Sequence, residues 1–146
     1  MYKIFISCAV GALTMAPALA SDKTDVMAVV HKWASIDPSA LGSICDDETT
    51  VIDSAPPYEW HGSGGCSKWL NDYGAFVKQN GMTDGHAVAG KARHIDITGD
   101  HAYVVVPLTY SYKQGGKDVH ETATGTFTLH KTASGWRLTG AVYSPQ

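Results

Sequence analysis

The 146-residue chain has little charge, few cysteines and no run of basic residues. Lysine and arginine number 11 against 14 aspartates and glutamates, a formal net charge of −3. A nucleic-acid-binding surface needs a basic stripe, and the basic residues here are scattered, so nucleic acid is not an expected partner. Seven histidines and three cysteines contain no His-Glu-x-x-His or paired-cysteine spacing, so neither a metal nor a cofactor is expected. There is no internal repeat, no low-complexity tract and no linker rich in proline, serine and glycine, which leaves one domain of ordinary size. With 44% hydrophobic and 17% charged residues, the composition is that of a globular protein rather than a disordered one.

A long apolar run occurs once, at the start, in MYKIFISCAVGALTMAPALA. An early lysine, an apolar stretch from Ile4 and the small-residue pattern Ala18-Leu19-Ala20 before Ser21 read as a cleaved secretory signal. The run is at the short limit for spanning a bilayer and contains Ser7, Thr14 and Pro17, which argues against an anchor. Residues 1–20 are therefore expected to be signal and 21–146 a soluble mature domain, periplasmic or secreted, with no membrane attachment after cleavage. Cleavage removes Cys8 and, through Lys3, brings the net charge to about −4. Cys45 and Cys66 remain, an even pair that suggests a disulfide in an oxidising compartment. Two reduced, buried cysteines are the alternative.

Hydrophobic spacing divides the rest. Over 24–36, Val26, Val29, Val30 and Trp33 recur at helical intervals, with Ser21 or Asp22 available as a cap. Asp37-Pro38 breaks that helix, 39–44 reads as a short helical turn, and TTVID reads as a strand. After the Gly62, Gly64 and Gly65 cluster, Cys66, Trp69, Leu70, Tyr73, Phe76 and Val77 share one helical face. Beyond Gly81 the period changes to two. HAVAGKARHIDI, HAYVVVPLTYSY, VHETATGTFTLH and WRLTGAVYS are four strand candidates, with turns at Gly99-Asp100, Gly115-Gly116 and Ser134-Gly135. Helices first, then an antiparallel meander with one early strand at its edge, make an α+β architecture.

Alternation assigns the faces. Trp136, Leu138, Gly140 and Val142 are expected on one face of the last strand, with Arg137, Thr139, Ala141 and Tyr143 on the other. Val119, Ala123, Phe127 and Leu129 oppose a ladder of Thr122, Thr124, Thr126 and Thr128. Ala102, Val104, Val106, Leu108 and Tyr110 share a face, with Tyr103, Val105 and Thr109 opposite, so that this strand reads as covered on both sides. Pro107 cannot donate to a ladder, so a bulge or a sheet edge is expected beside it.

The segments VVHKWA, DDETTVIDSAPPYEWHGSGGCSKWLNDY and GTFTLHKTASGWRLTGAVYS together resemble the SnoaL-like branch of the nuclear transport factor 2-like superfamily, over essentially all of 21–146. The resemblance implies a cystatin-like cone: N-terminal helices packed on a strongly curved, mostly antiparallel sheet, with an open mouth and an apolar pocket. Fold alone does not name an activity in this superfamily, which holds isomerases, dehydratases, cyclases and non-catalytic binding domains. In ketosteroid isomerase the base is an aspartate at the end of a short strand, and Asp53 falls on that position. Proton abstraction beside a carbonyl needs such a base within reach of the C–H, in a dry pocket. Trp33, Tyr58, Trp60, Trp69, Phe76, Tyr110 and Phe127 are the residues expected to line it.

The enolate would also need preorganised donors. By the resemblance these would come from the first helix, at Trp33, and from a late strand, near Gly125. Neither offers a hydroxyl or an acid, and an indole N–H is a weaker donor aimed differently, so isomerisation by that route is disfavoured. A dehydratase would need His31, His94 and Tyr110 to converge, which nothing in the sequence requires. Two roles stay open for Asp53, turn cap and pocket base. Trp33, Trp69 and Trp136 also fit as plain core anchors. His94 and Asp96 share a strand face but lack a third metal ligand, His61 reads as solvated, and Asp46, Asp47 and Glu48 read as an acidic turn. The leading function is binding of a small apolar molecule. An isomerase, cyclase or lyase with Asp53 as general base is the alternative, and a homodimer through the sheet face, using the threonine ladder with Tyr103 and Tyr143, is a possible assembly.

Overall fold

The structure, a computed structural model, describes residues 16–146. Most of the expected signal segment lies outside the described residues. The first helix, α1 (Ala16–Ala34), begins upstream of the expected 24–36, so Ser21 and Asp22 sit within it and neither caps it. Asp22 instead ties the helix to the sheet: its Oδ1 accepts from Lys131 Nζ at 2.6 Å and from Trp136 Nε1 at 3.2 Å. Val26, Val30 and Trp33 turn their buried stripe toward the sheet. In α2 (Pro38–Ile44), Asp37 is the N-cap, accepting from Ser39 N–H at 2.9 Å, and Pro38 occupies the first turn where its missing donor costs nothing.

The strands are β1 (Cys45–Ile52), the two-residue β2 (Glu59–Trp60), β3 (Met82–Ala89), β4 (His94–Thr98), β5 (His101–Gln114), β6 (Lys117–Thr132) and β7 (Gly135–Pro145), with α3 (Gly65–Gln79) between β2 and β3. They form one open sheet in the order β2-β1-β7-β6-β5-β3, with β4 also paired to β5. All neighbours are antiparallel except β1 and β7, which are parallel. The helices pack on one face, α1 against β3, β4 and β7 and α3 against β1 and β3. No described helix is long and apolar enough to cross a membrane. Cys45 and Cys66 are joined by a disulfide that links the start of β1 to the first turn of α3.

Three expectations are corrected. HAVAGKARHIDI is not one strand: β3 ends at Ala89 and β4 starts at His94. The break lies opposite Pro107, whose carbonyl accepts from Gly90 N–H at 2.9 Å, so the missing proline donor falls where the ladder is already interrupted. The outer face of β5 is not covered either, since Tyr103 and Thr109 are exposed. The third correction is in β7. Thr128 pairs with Gly140 but Leu129 pairs with Leu138, so Thr139 is an extra residue, a bulge. A one-residue insertion inverts every later side chain. Trp136 and Leu138 are buried as expected, but beyond the bulge Ala141 and Tyr143 face inward and Gly140 and Val142 do not.

Candidate functional site

The site begins where β1 ends. Alternation carries Val51, fully buried, and Asp53 to the same face, while Ile52 between them is exposed. The chain then folds back through Pro56 and Pro57, with Asp53 N–H donating to Tyr58 O at 3.0 Å and Tyr58 N–H to Ala55 O at 2.8 Å. Asp53 is only 8% exposed, and both its oxygens are engaged. Oδ1 accepts from the Ala55 N–H at 3.2 Å and from Ser54 Oγ at 3.4 Å, the Asx-turn arrangement. Oδ2 accepts from Trp69 Nε1 at 2.9 Å. The carboxylate therefore closes its own turn and also stands on the wall of a cavity.

That cavity, about 30 Å³, is lined by Asp53 with Trp33, Trp69, Tyr73, Tyr110, Leu108 and Tyr143. It adjoins a cleft of about 150 Å³ that shares Asp53, Tyr73 and Tyr110 and adds Phe76, Tyr112 and Glu121. Aromatic rings form a continuous wall: Trp33 stacks on Trp69 at 5.4 Å, Trp69 on Tyr73 at 5.4 Å and Tyr73 on Phe76 at 6.4 Å. Among the described residues, no lysine, arginine or histidine lines either space. A larger recess of about 260 Å³ lies beside the disulfide, but it lacks aromatic walls.

The hydroxyls respond to the nearby charge. Burial first, then the Tyr110 hydroxyl beside it, hold Tyr73 well above the usual tyrosine range, and the Asp53 charge adds to the effect. Tyr143 is raised by burial first, then by Glu121 and Asp53. Tyr112 is pushed up to about 12 by burial and by donating to Glu121 Oε1 at 2.8 Å. Tyr143 donates to Glu121 Oε2 at 3.4 Å. At neutral pH these hydroxyls stay protonated and remain hydrogen-bond donors.

Of the residues expected to line the pocket, Trp33, Trp69 and Tyr110 border the cavity and Phe76 the adjoining cleft. Tyr58 is 58% exposed and borders neither. Trp60, expected in a loop, is buried in β2 and donates Nε1 to Asp72 Oδ2 at 2.8 Å, which makes it an anchor between β2 and α3. Phe127 is fully buried, its ring 5.1 Å from that of Trp33 in a T-shaped contact, and it lines neither space. Trp33 Nε1 is buried without a hydrogen-bond partner among the described residues. His31, His94 and Tyr110 do not converge on this cavity, which His31 and His94 do not line. The residues missed from sequence include Tyr143, hidden by the bulge, and Tyr112 and Glu121, which reach the cleft from β5 and β6. Tyr73 carried a usable signal, since it lies one helical turn from Trp69 on the same face.

Helices laid on one face of an open, mixed sheet form a cystatin-like fold, the fold of solved nuclear transport factor 2-like proteins. No protein-family model and no curated protein matches the chain in sequence, so the likeness is one of structure. An NTF2-like protein with a cystatin-like fold from Novosphingobium aromaticivorans is similar with a TM-score of 0.72 at 15% identity, over 94% of this chain and 92% of that one. A nuclear transport factor 2-like superfamily protein from Salmonella enterica is similar with a TM-score of 0.64 at 15% identity, over 90% and 91% of the two chains. LinA is similar with a TM-score of 0.68 at 12% identity, over 90% and 88%. At such identities the likeness concerns the fold.

Proposed function

We propose that this protein binds a small, mostly apolar and uncharged molecule in the cone, with a hydroxyl or similar donor of the ligand turned to Asp53. The observation that carries this reading is a nearly buried carboxylate on the wall of an aromatic cavity that, among the described residues, no cationic side chain lines. Such a wall attracts an uncharged donor and repels an anion. The enclosed part accommodates one small polar group, and the body of the ligand would lie in the adjoining cleft between Tyr73, Tyr110 and Phe76.

Benzyl alcohol and toluene differ by the hydroxyl alone and test this directly. Calorimetry is expected to show saturable binding of the alcohol, at least about tenfold tighter than toluene, the scale of one hydrogen bond to a charged acceptor. Equal affinities, or no saturable binding of the alcohol, would refute the proposal.

A second reading, Asp53 as general base, is favoured by one arrangement. Tyr73 and Tyr143 line the same cavity as Asp53, so hydroxyl donors border the space the carboxylate faces although Trp33 and Gly125 supply none.

Export also belongs to this proposal and is supported by the Cys45–Cys66 disulfide, which an oxidising compartment maintains. Intact-mass analysis of protein from its own host is expected to show a chain beginning at Ser21 with no free thiol. A chain retaining residues 1–20, or two free thiols, would contradict it. We further propose that two copies can pair through the outer sheet face, where Tyr103 and the threonines of β6 remain outward but Tyr143 does not. Light scattering that shows only monomer at high concentration would dismiss the pairing.

A further inference from the structure

At the other end of the β5–β6 hairpin, three side chains that ligate metals converge. His101 and His130 stand directly opposite each other in the ladder, with ring centroids 5.1 Å apart. Asp100, in the tight turn that leads into β5, places one carboxylate oxygen against each ring. Its Oδ1 is 2.7 Å from His101 Nδ1 and its Oδ2 is 3.2 Å from His130 Nε2. The turn is pinned beside His130 by the Lys131 N–H, which donates to the Asp100 carbonyl at 2.7 Å. The Lys131 ammonium is engaged elsewhere, by Asp22 at 2.6 Å, so it leaves the Asp100 carboxylate to the imidazoles.

We propose that Asp100, His101 and His130 form a surface site for a divalent transition metal such as zinc, nickel or copper, with water in the remaining coordination positions. One ligand atom from each residue lies within 4.8 Å of the other two. In a tetrahedral zinc site, metal–nitrogen bonds of about 2.0–2.1 Å put ligand atoms roughly 3.3 Å apart, so small side-chain rotations close the set. Two imidazoles and one carboxylate suit these metals, whereas magnesium and calcium select oxygen donors. Loading releases whatever protons the ligating nitrogens carry and replaces the present carboxylate–imidazole contacts with metal bonds.

The site is separate from the Asp53 cavity. Eight residues of β5 lie between His101 and Tyr110, roughly 30 Å of extended strand. His94, the histidine singled out from sequence, instead packs against the ring of Tyr103 at 5.9 Å. The converging trio is invisible to linear spacing because His130 arrives through strand register, 29 positions after His101.

Calorimetric titration of tag-free protein with zinc sulfate tests the proposal. One equivalent is expected to bind with a dissociation constant in the micromolar range. His101→Ala, His130→Ala and Asp100→Asn are each expected to weaken binding by more than about tenfold, because each removes a ligand. His94→Ala is expected to leave it unchanged. As a check independent of substitution, zinc should shift the ring resonances of two of the seven histidines in the unaltered protein. No saturable heat at millimolar zinc, full binding by His130→Ala, an equal loss in His94→Ala, or shifts spread over all the histidines would overturn the assignment.

Discussion

Replacing Asp53 with leucine is expected to lower the stability of the protein by about 2–6 kcal/mol, because two buried donors lose their acceptor at once, at roughly 1–3 kcal/mol each. Those donors are the Trp69 indole N–H and the Ala55 N–H. Against a total stability of about 5–15 kcal/mol for an ordinary domain, the loss is large. Asp53→Asn should cost less but is not neutral: an amide has one acceptor oxygen, while Asp53 uses both of its own. Its NH₂ group must therefore meet either the indole or the backbone donor.

Trp69→Phe separates the structural role from the functional one, since it removes the indole donor while keeping an aromatic ring in the stack. In that background Asp53→Asn is expected to unfold at nearly the same urea concentration as its parent. If the carboxylate serves the ligand, the double variant should still bind benzyl alcohol about tenfold more weakly than Trp69→Phe does, the charge on the acceptor being lost. An unchanged affinity would leave Asp53 as a turn residue only. The same pair tests the second reading through exchange of the α-protons of cyclohexanone into heavy water. A general base should accelerate exchange in a way that asparagine cannot. Exchange no faster than in buffer for the unaltered protein would leave binding alone.

Gly65→Ala is expected to be as damaging, at about 3 kcal/mol or more, and to give little folded protein. Gly65 opens α3 where the helix passes over β1, and a Cβ there would be driven into the carbonyl oxygen of Thr49. Thr49 cannot withdraw easily: it is fully buried and its hydroxyl donates to the Leu138 carbonyl at 2.6 Å. Gly74 in the same helix is the natural comparison, exposed and with nothing within 4 Å of an added Cβ. Gly74→Ala should raise stability by about 0.5–1 kcal/mol through helix propensity alone. Urea denaturation of the two variants measures both, and equal effects would show that the approach to Thr49 is not tight.

The parts legible in the sequence are those that depend on near neighbours. The stripe from Cys66 to Val77 reads directly as a helix, and the alternation along β5 identifies its buried face before any partner strand is known. Counting cysteines, with the first set aside in the expected signal, suggests the Cys45–Cys66 pairing but leaves two reduced thiols as the alternative, which the disulfide in the structure decides. The early strand is recognisable by its β-branched residues, but the orientation of Asp53 at its end is not. What could not be read depends on partners distant in sequence. The interruption opposite Pro107 was expected as a bulge or edge, but its position depended on which residues pair with β5. Trp60 looked like a loop aromatic because a two-residue strand has no periodicity to detect. The tyrosines around Asp53 come from α3, β5 and β7, and their approach is a property of the folded layers.

The extra residue at Thr139 bears on how this cavity could change over time. Deleting that one position would leave the pairings of β7, and Tyr143, as they are, but straightening the bulge at constant length would make β7 alternate regularly from Leu138, withdrawing Tyr143 and offering Val142 in its place. A phenolic wall would become an aliphatic one with no residue of the cavity itself mutated. A change in whether β7 bulges at this one point of its pairing with β6 is therefore a route to a different ligand chemistry, one that comparing cavity residues position by position would overlook.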